Sequence, residues 1–170
     1  MVRAWQALCL VTLASCSSGE VSPDRSASNP DGAAGAMSQT HPESGLRIIP
    51  VTVDTDDASF VFQTELADTS ESQTRGLMYR TQLGDDEAML FPSSPPQVRS
   101  FWMKNTPLPL DIIFVGTGGR IINIESGVPY STESVRSDGP AAAVFEIRGG
   151  RAAQLGIEPG DRIVWDGGGT

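Results

Sequence analysis

The organisation of this 170-residue chain is best understood from the stretch Phe101-Trp102-Met103-Lys104-Asn105-Thr106-Pro107-Leu108-Pro109-Leu110-Asp111-Ile112-Ile113-Phe114. Its first three residues are bulky and apolar, which predicts a strand packed against a core. Its two prolines fix the backbone and remove two hydrogen-bond donors, so we expect neither helix nor central strand there. Residues 111–115 are apolar almost throughout and predict a strand buried on both faces. Residues 116–119 then have the glycine-rich composition of a hairpin turn.

The sequence on either side of this stretch predicts further short strands and little helix. Alternating or apolar runs predict strands at residues 48–53, 60–67, 88–91, 120–125, 141–147 and 162–165. Ser70 and Gln73 fit a capping box, which predicts a helix over residues 70–80. A shorter helical turn is predicted over residues 151–155, and residues 126–140 predict a long loop of the kind that is often functional. We therefore expect one mainly β domain over residues 46–166, with a frayed tail at residues 167–170.

The composition excludes several kinds of function. A net charge of −9 repels phosphate backbones, so we expect no nucleic-acid partner. Both cysteines, Cys9 and Cys16, lie near the start of the chain, and the single histidine is His41. The predicted domain thus has no thiolate nucleophile, no histidine-based triad and no zinc site built from cysteine or histidine. We expect no cofactor and no bound metal.

The first sixteen residues resemble the signal of bacterial lipoproteins. Arg3 supplies the positive start, residues 4–13 form a short apolar run, and Leu13-Ala14-Ser15-Cys16 places the cysteine after two small residues. The resemblance implies that residues 1–15 are removed and that two acyl chains on Cys16 anchor the protein to a membrane. An ordinary cleaved signal, in which the cysteine has no role, is the alternative. Ser17, by similarity to sorting in enteric bacteria, favours the outer membrane.

The segment that follows Cys16 predicts a flexible tether. Residues 16–45 are dominated by small and polar side chains and cannot bury enough apolar surface to order themselves. We therefore expect a lipid-anchored domain on the periplasmic side of the cell envelope. Its partners are expected to be the membrane, through the anchor, and an envelope ligand or protein that the sequence does not identify.

Several motifs of the domain resemble those of domain-of-unknown-function family number 192. They are Thr64-Glu65-Leu66-Ala67-Asp68-Thr69, Arg75-Gly76-Leu77-Met78-Tyr79-Arg80, Met89-Leu90-Phe91, Phe101-Trp102-Met103-Lys104-Asn105-Thr106, Pro109-Leu110-Asp111-Ile112-Ile113-Phe114 and Leu155-Gly156-Ile157-Glu158-Pro159-Gly160-Asp161. The resemblance implies a predominantly β, sandwich-like fold in an exported or membrane-attached prokaryotic protein, and it implies no activity. Two positions depart from the family pattern. Ser72-Gln73 stands where the family usually has Glu-Arg, and Ala88 stands where it often has glycine.

The polar residues of these motifs form the candidate binding site. The predicted set is Arg75, Arg80, Trp102, Lys104, Asn105 and Asp111, and Glu65 and Glu146 are considered with it as polar residues. In a functional interpretation several of them converge in a cleft beside Trp102, where arginine and asparagine bind a polar ligand against the indole ring. In the alternative, an arginine pairs with Glu65 or Asp111, and Asn105 caps the proline corner.

Two other arrangements of residues offer possible chemistry. Met78, Met89 and Met103 could hold Cu(I), but methionine more often fills irregular gaps in a core. Asp111 together with Glu146 or Glu65 could form a general acid and base pair of the glycosidase type, if the two carboxyl groups lie about 5 to 10 Å apart in an open groove.

The sequence thus favours a non-enzymatic binding or accessory module with a polar and aromatic cleft at residues 102–111. A hydrolase acting on an envelope polymer is one alternative. A structural or stress protein without a small-molecule site is the other.

Overall fold

The computed structural model describes residues 39–167, which form one large mixed β-sheet, one two-stranded sheet and two short helices. The strands are β1 (Ile48–Asp54), β2 (Ser59–Leu66), β3 (Glu87–Gln97), β4 (Ser100–Phe101), β5 (Leu110–Val115), β6 (Ile121–Gly127), β7 (Val135–Arg136), β8 (Ala141–Arg148) and β9 (Arg162–Trp165). The helices are α1 (Ser70–Arg75) and α2 (Arg151–Leu155), and a 3-10 turn covers Thr117–Gly119. The expected mainly β, sandwich-like single domain is confirmed. The signal and Cys16 lie outside the described residues and stay predictions.

The large sheet has seven strands in the order β6-β5-β8-β3-β2-β1-β9. Strands β2 and β3 pair in parallel, and all other neighbours in this sheet are antiparallel. Its two edge strands meet at one end, where Arg120 and Arg162 form an isolated bridge and the Ile121 amide donates to the Asp161 carbonyl at 2.9 Å. The sheet therefore curls until its edges touch, which gives it an inner and an outer face.

The inner face holds the larger part of the hydrophobic core. Side chains of every strand of the large sheet meet there, among them Val51, Phe62, Leu90, Ile113, Ile121, Phe145 and Ile163. The rings of Phe62 and Phe145 pack edge to face, with centroids 5.4 Å apart. Burial of this apolar surface is the main force that holds the curled sheet together.

A second apolar layer covers the outer face of β3, β5 and β8. It consists of side chains from these strands and from the irregular segments beside them, among them Ala67, Leu77, Leu83, Phe91, Met103, Ile112 and Phe114. Strand β5 lies under this layer, and all six of its residues are buried. The prediction that residues 111–115 are buried on both faces is therefore confirmed.

Helix α1 is shorter than predicted, and its cap is one residue earlier. The Thr69 hydroxyl accepts from the Ser72 amide, and the Ser72 hydroxyl accepts from the Thr69 amide, so these two residues form the capping box. The helix ends at Gly76, which has φ of +47°. The prediction of a helix to Arg80 was wrong, because the chain turns at Gly76 and the Tyr79 amide then donates to the Asn105 carbonyl.

The central stretch is also less regular than predicted. Only Ser100–Phe101 forms a strand, and it pairs with Val135–Arg136, which lies inside the predicted long loop. Residues 102–109 form no strand, and the Met103 and Thr106 amides donate to the carbonyls of Ser131 and Met103. Strand β3 extends past the predicted end at Phe91 to Gln97, with an irregular register that accommodates its prolines.

The folded domain also begins earlier than the predicted boundary at Leu46. Thr40 forms a bridge with Arg47, and the Ile48 amide donates to the Gln39 carbonyl at 2.7 Å. Residues 39–45, which composition assigned to the tether, therefore lie against the domain. Their hydrogen bonds and ion pairs with it supply the stabilisation that their few apolar side chains do not.

Candidate functional site

A cavity of about 180 Å³ opens between α1, strand β8 and the segment around β4. Its walls are largely apolar and include Leu77, Phe91, Phe101, Met103 and Leu110. Three charged residues share this space, namely Arg75, Arg99 and Glu146. Of the predicted site residues, Arg75 and Trp102 line the cavity, whereas Arg80, Lys104, Asn105 and Asp111 do not.

Glu146 supplies the buried carboxyl group of the cavity. It lies in β8 opposite Met89 of β3 and Ile112 of β5, whose side chains belong to the outer layer. Its neighbours Phe145 and Ile147 point instead to the inner core, because side chains alternate along a strand. Glu146 is thus a carboxylic acid on the otherwise apolar outer face of β3, β5 and β8. It lies at the inner end of the cavity and is only 5% exposed.

The Glu146 carboxyl has neither a hydrogen bond nor an ion pair among residues 39–167. Over the same residues, no side-chain nitrogen or oxygen is both sealed from solvent and unpartnered. The carboxyl oxygens must therefore be reached from the cavity. Burial without a partner disfavours the charged form and raises the pKa of Glu146 from 4.5 to about 8. At pH 7 Glu146 is thus a neutral carboxylic acid.

Arg99 is fixed beside the cavity by neutral groups. It donates to the Ser93 hydroxyl at 2.6 Å and to the Gln73 side-chain oxygen at 3.2 Å, and its guanidinium lies 5.3 Å from the centre of the Phe101 ring. Partial burial lowers its pKa, and arginine remains charged nonetheless. Gln73 is the residue that, by the family resemblance, stands where arginine is usual. It holds Arg99 on one side and donates to the Pro92 carbonyl at 2.8 Å on the other.

Arg75 lies at the opening of the cavity. It is exposed at the end of α1 and also lines two further depressions that it shares with Glu43 and Ser44. Within residues 39–167, no carboxylate comes within ion-pair distance of Arg75 or Arg99. The cavity is thus lined by two guanidinium groups, those of Arg75 and Arg99, and by the Glu146 carboxyl group, and no ion pair joins either arginine to Glu146.

Trp102 forms the aromatic part of the rim. It is 49% exposed, which is unusual for so large an apolar side chain. Lys104 lies outside the cavity, with its Nζ 5.2 Å from the centre of the Trp102 ring. The lysine therefore contributes to the site through this cation–π contact rather than as part of the wall.

Asn105 shapes the turn behind the cavity instead of lining it. Its φ of +60° lies in the left-handed region, which asparagine tolerates better than most residues. Its carbonyl accepts from the Tyr79 amide at 2.8 Å, and its amide group lies 4.0 Å from the Met78 sulfur. These contacts join the turn after α1 to the turn after β4.

Arg80 and Glu65 form a buried ion pair away from the cavity. The Arg80 guanidinium donates to the Glu65 carboxylate and also pairs with Glu43 at 2.9 Å. His41 lies 3.1 Å from the same guanidinium, and the Ser44 hydroxyl donates to Glu65. The arginine therefore fastens residues 39–45 to β2, which corresponds to the ion-pair interpretation.

Asp111 lies on the opposite face of the sheet from Glu146. One of its oxygens accepts from the Gly150 amide at 2.9 Å and the other from the Ala152 amide at 2.8 Å. It thus caps the start of α2. Because Asp111 and Glu146 lie on opposite faces, the structure does not bring them together as a carboxylate pair.

The methionines belong mainly to the core. Met89 and Met103 are buried in the outer layer, and the Met103 sulfur packs so closely on Gly127 that a Cβ there would lie 2.7 Å away. Met78 is half-buried and lines the cavity beside Met103. No group of three or more histidine, cysteine, aspartate or glutamate side chains within residues 39–167 is placed to hold a metal ion.

Sequence reasoning did not find the central role of Glu146 or of Arg99. Glu146 is predicted only as one member of the wider polar set and as half of a carboxylate pair, and Arg99 lies between the recognised motifs. One signal was available: Glu146 is the single charged residue in the apolar run of residues 141–147. A lone charge in a strand that is otherwise apolar is a reason to look for a cavity there.

The chain belongs to domain-of-unknown-function family 192, described as "Uncharacterized ACR", whose sequence pattern matches residues 51–165. A protein of unknown function from Novosphingobium aromaticivorans DSM 12444, with a crystal structure at 1.22 Å resolution, is 49% identical and has a TM-score of 0.74. That match covers 82% of this chain and 100% of the other.

A second solved structure, at 1.55 Å resolution, is of a Sinorhizobium meliloti 1021 protein proposed to be a transcription regulator. It is 36% identical with a TM-score of 0.68, and the match covers 71% of this chain and 95% of the other. None of the curated proteins compared with the chain matches it. Within residues 39–167, no helix is long and apolar enough to cross a membrane.

Proposed function

We propose that this protein is a non-enzymatic binding module of the bacterial cell envelope, and that the cavity beside Glu146 takes up a small polar ligand. The proposed anchor is lipidated Cys16, with the outer membrane favoured. The predicted signal and the small, polar composition of residues 16–38 support this location. The family membership supports the domain assignment and adds no activity to it.

The observation that carries the proposal is the unpartnered Glu146 carboxyl at the inner end of the cavity. Burial of a polar group without a partner costs stability, so a fold without a use for this group would gain from an apolar residue there. Perturbed carboxyl groups that face a cavity are common at functional sites. Arg75 and Trp102 at the opening add the charged and aromatic contacts of a binding site.

The arrangement favours binding over hydrolysis. Of the residues that line the cavity, Glu146 is the one carboxylic acid. A glycosidase of the usual kind needs a second carboxylate on the other side of the scissile bond. Asp111, the candidate for that role, faces away and is occupied by the amides of Gly150 and Ala152.

The proposal is tested by a thermal-shift screen of the purified full-length protein in detergent, with sugars, nucleotides, lipids, amino acids and metal ions. We expect a small polar compound to raise the melting temperature, since a ligand at about 100 times its Kd stabilises a fold by about 2.7 kcal/mol. The shift should be lost in Glu146→Gln and reduced in Trp102→Ala.

Glu133→Gln is the matched control, because Glu133 is an exposed glutamate outside the cavity. It should retain the full shift. If no compound stabilises the protein, or if every stabilising compound acts equally on Glu146→Gln, the cavity is not the binding site and a structural role becomes the better interpretation.

A further inference from the structure

The charges around the cavity are arranged in a definite order from inside to outside. Glu146 is buried at the inner end, Arg99 is half-buried beside it, and Arg75 is exposed at the opening. The two guanidinium groups and the carboxyl group all line one small space, yet no ion pair joins them. The site thus presents an acidic group at depth and basic groups nearer the solvent.

We infer that the ligand of this cavity is a small zwitterion of the α-amino-acid type, whose ammonium group contacts Glu146 and whose carboxylate contacts Arg75 and Arg99. This inference rests on the proposed function, since it names the ligand class of the same site. An ammonium group donates up to three hydrogen bonds and can supply the donors that the Glu146 carboxyl group lacks. A carboxylate matches the planar fork of a guanidinium.

Arg99 retains the capacity to bind such a carboxylate. Its side chain has five N–H donors, as every arginine does, and Ser93 and Gln73 engage one each at two different nitrogens. These same two contacts, with the Phe101 ring below, hold the guanidinium in place before a ligand arrives. Little side-chain entropy is therefore lost when the ligand binds.

The size of the cavity agrees with a ligand of this class. Its volume of about 180 Å³ is below the range of roughly 300 to 1,000 Å³ that is typical of sites for drug-sized molecules. The apolar wall of Leu77, Phe91 and Leu110 suits an aliphatic side chain on the carbon that carries the two charged groups. The cavity suits a single amino-acid unit better than an oligosaccharide or a nucleotide.

The charge state of Glu146 predicts how affinity changes with pH. Arg75 and Arg99 are the charged groups that share the cavity with it. Since the Glu146 carboxyl keeps its proton up to a pH of about 8, an ammonium group that binds there must displace that proton. Affinity should then rise about tenfold between pH 6 and pH 7 and level off above about pH 8.

The test is isothermal calorimetry with the purified full-length protein and three sets of small probes. The first contains the common amino acids in both stereochemical forms, the second contains the corresponding amines, and the third contains the corresponding carboxylates. We expect at least one amino acid to bind about tenfold or more tightly than its amine and its carboxylate, because it alone engages both ends of the site.

Two variants separate the contributions of the two ends. Glu146→Gln should weaken amino-acid binding about tenfold or more and remove its rise with pH, while Arg75→Ala should weaken it with the pH dependence intact. Arg75 is exposed, so this variant is expected to fold, and Glu133→Gln is again the control. Equal binding of an amino acid and its amine or its carboxylate would overturn the inference, as would affinity that falls as the pH rises from 6 to 8.

A second arm distinguishes two sources of the same chemistry. Soluble cell-wall peptides that carry a free amino group and a carboxylate on one carbon are compared with free amino acids. Tighter binding of the peptides identifies the end of a wall polymer as the ligand, and tighter binding of the free compound identifies a soluble amino acid; both results support the zwitterion. A screen in which only neutral sugars bind, in a manner that depends on Glu146, would retain the proposed function and overturn this inference.

Discussion

At the scale of the residue, Glu146 shows how one side chain departs from the pattern of its strand. Val144 and Glu146 point to the same face of β8, and the first packs in the outer layer while the second faces the cavity. The carboxyl accepts no hydrogen bond in the described part of the chain, and its pKa is raised to about 8 by burial. Burial of this unpartnered carboxyl group therefore lowers the stability of the folded state, and the loss of stability is larger at a pH where the group ionises.

The pH dependence of stability tests this cost. Between pH 4.5 and about 8 the folded state keeps the Glu146 proton and the unfolded state loses it, so the free energy of unfolding falls as the pH rises. Glu146→Gln removes this loss. We expect the variant and the parent to differ little at pH 5, and the variant to be more stable at pH 9 by up to about 5 kcal/mol.

Urea unfolding at pH 5, 7 and 9 gives the measurement. Glu133→Gln serves as the control and should follow the parent at every pH. A Glu146→Gln variant whose stability parallels the parent from pH 5 to pH 9 would show that the carboxyl has a partner in solution.

At the scale of the element, the turn between β5 and β6 determines whether the sheet can close. Gly118 and Gly119 both have positive φ, +80° and +77°. A Cβ on Gly119 would lie 2.5 Å from the Ile163 carbonyl oxygen of β9, whereas a Cβ on Gly118 would meet nothing within 4 Å. Both glycines must adopt a positive φ. Only at Gly119 does the lack of a side chain also allow the turn to approach β9 at the opposite edge of the sheet.

Alanine at each of these positions separates the two effects. Both variants must hold a non-glycine residue in the left-handed region, at a cost of roughly 1 to 2 kcal/mol. Gly119→Ala must also displace the β9 backbone, so we expect it to lose about 1 to 3 kcal/mol more than Gly118→Ala. Denaturant unfolding of the pair measures this difference. Equal losses in the two variants would mean that the contact between the turn and β9 is looser than the structure indicates.

At the scale of the whole molecule, the chain combines a predicted membrane anchor with an acidic, mainly β domain. The net charge of −9 disfavours binding to anionic surfaces, so we expect attachment to a membrane to require the proposed anchor. Residues 39–45 pack on the domain through Arg80, which leaves residues 17–38 as the segment between Cys16 and the described structure. Two acyl chains are sufficient for stable attachment, and one is marginal.

The two N-terminal cysteines provide a matched test of the anchor. Cys16→Ser should shift the protein from the membrane to the soluble fraction, or leave its signal uncleaved, because the acylation site is gone. Cys9→Ser removes a thiol from the apolar run and should leave attachment unchanged. Cell fractionation with metabolic fatty-acid labelling gives the measurement. Labelling that survives in Cys16→Ser would contradict the lipoprotein assignment.

The order of strands along the chain was largely predictable, and the site was predictable only in part. Alternation along β2 and the apolar run of β5 are local patterns, and they placed Phe62 and Ile112 in the core. Trp102 and Arg75 were recognised from their motifs and do line the cavity. Arg99 was not found, because its place beside the cavity depends on contacts with Gln73 and Ser93 that are distant from each other in sequence.

Local sequence was therefore sufficient for the mainly β class, for the buried central strand and for the glycine-rich turn, because each depends on short-range periodicity or on backbone freedom. Three features required the folded chain. They are the closure of the sheet, the face of the sheet on which each polar residue lies, and whether each ionisable side chain is bonded to a partner or faces a cavity. Asp111 and Glu146 illustrate the reason. Both are acids in apolar strands, and they differ because sheet pairing turns one to the amides of α2 and the other to an open space.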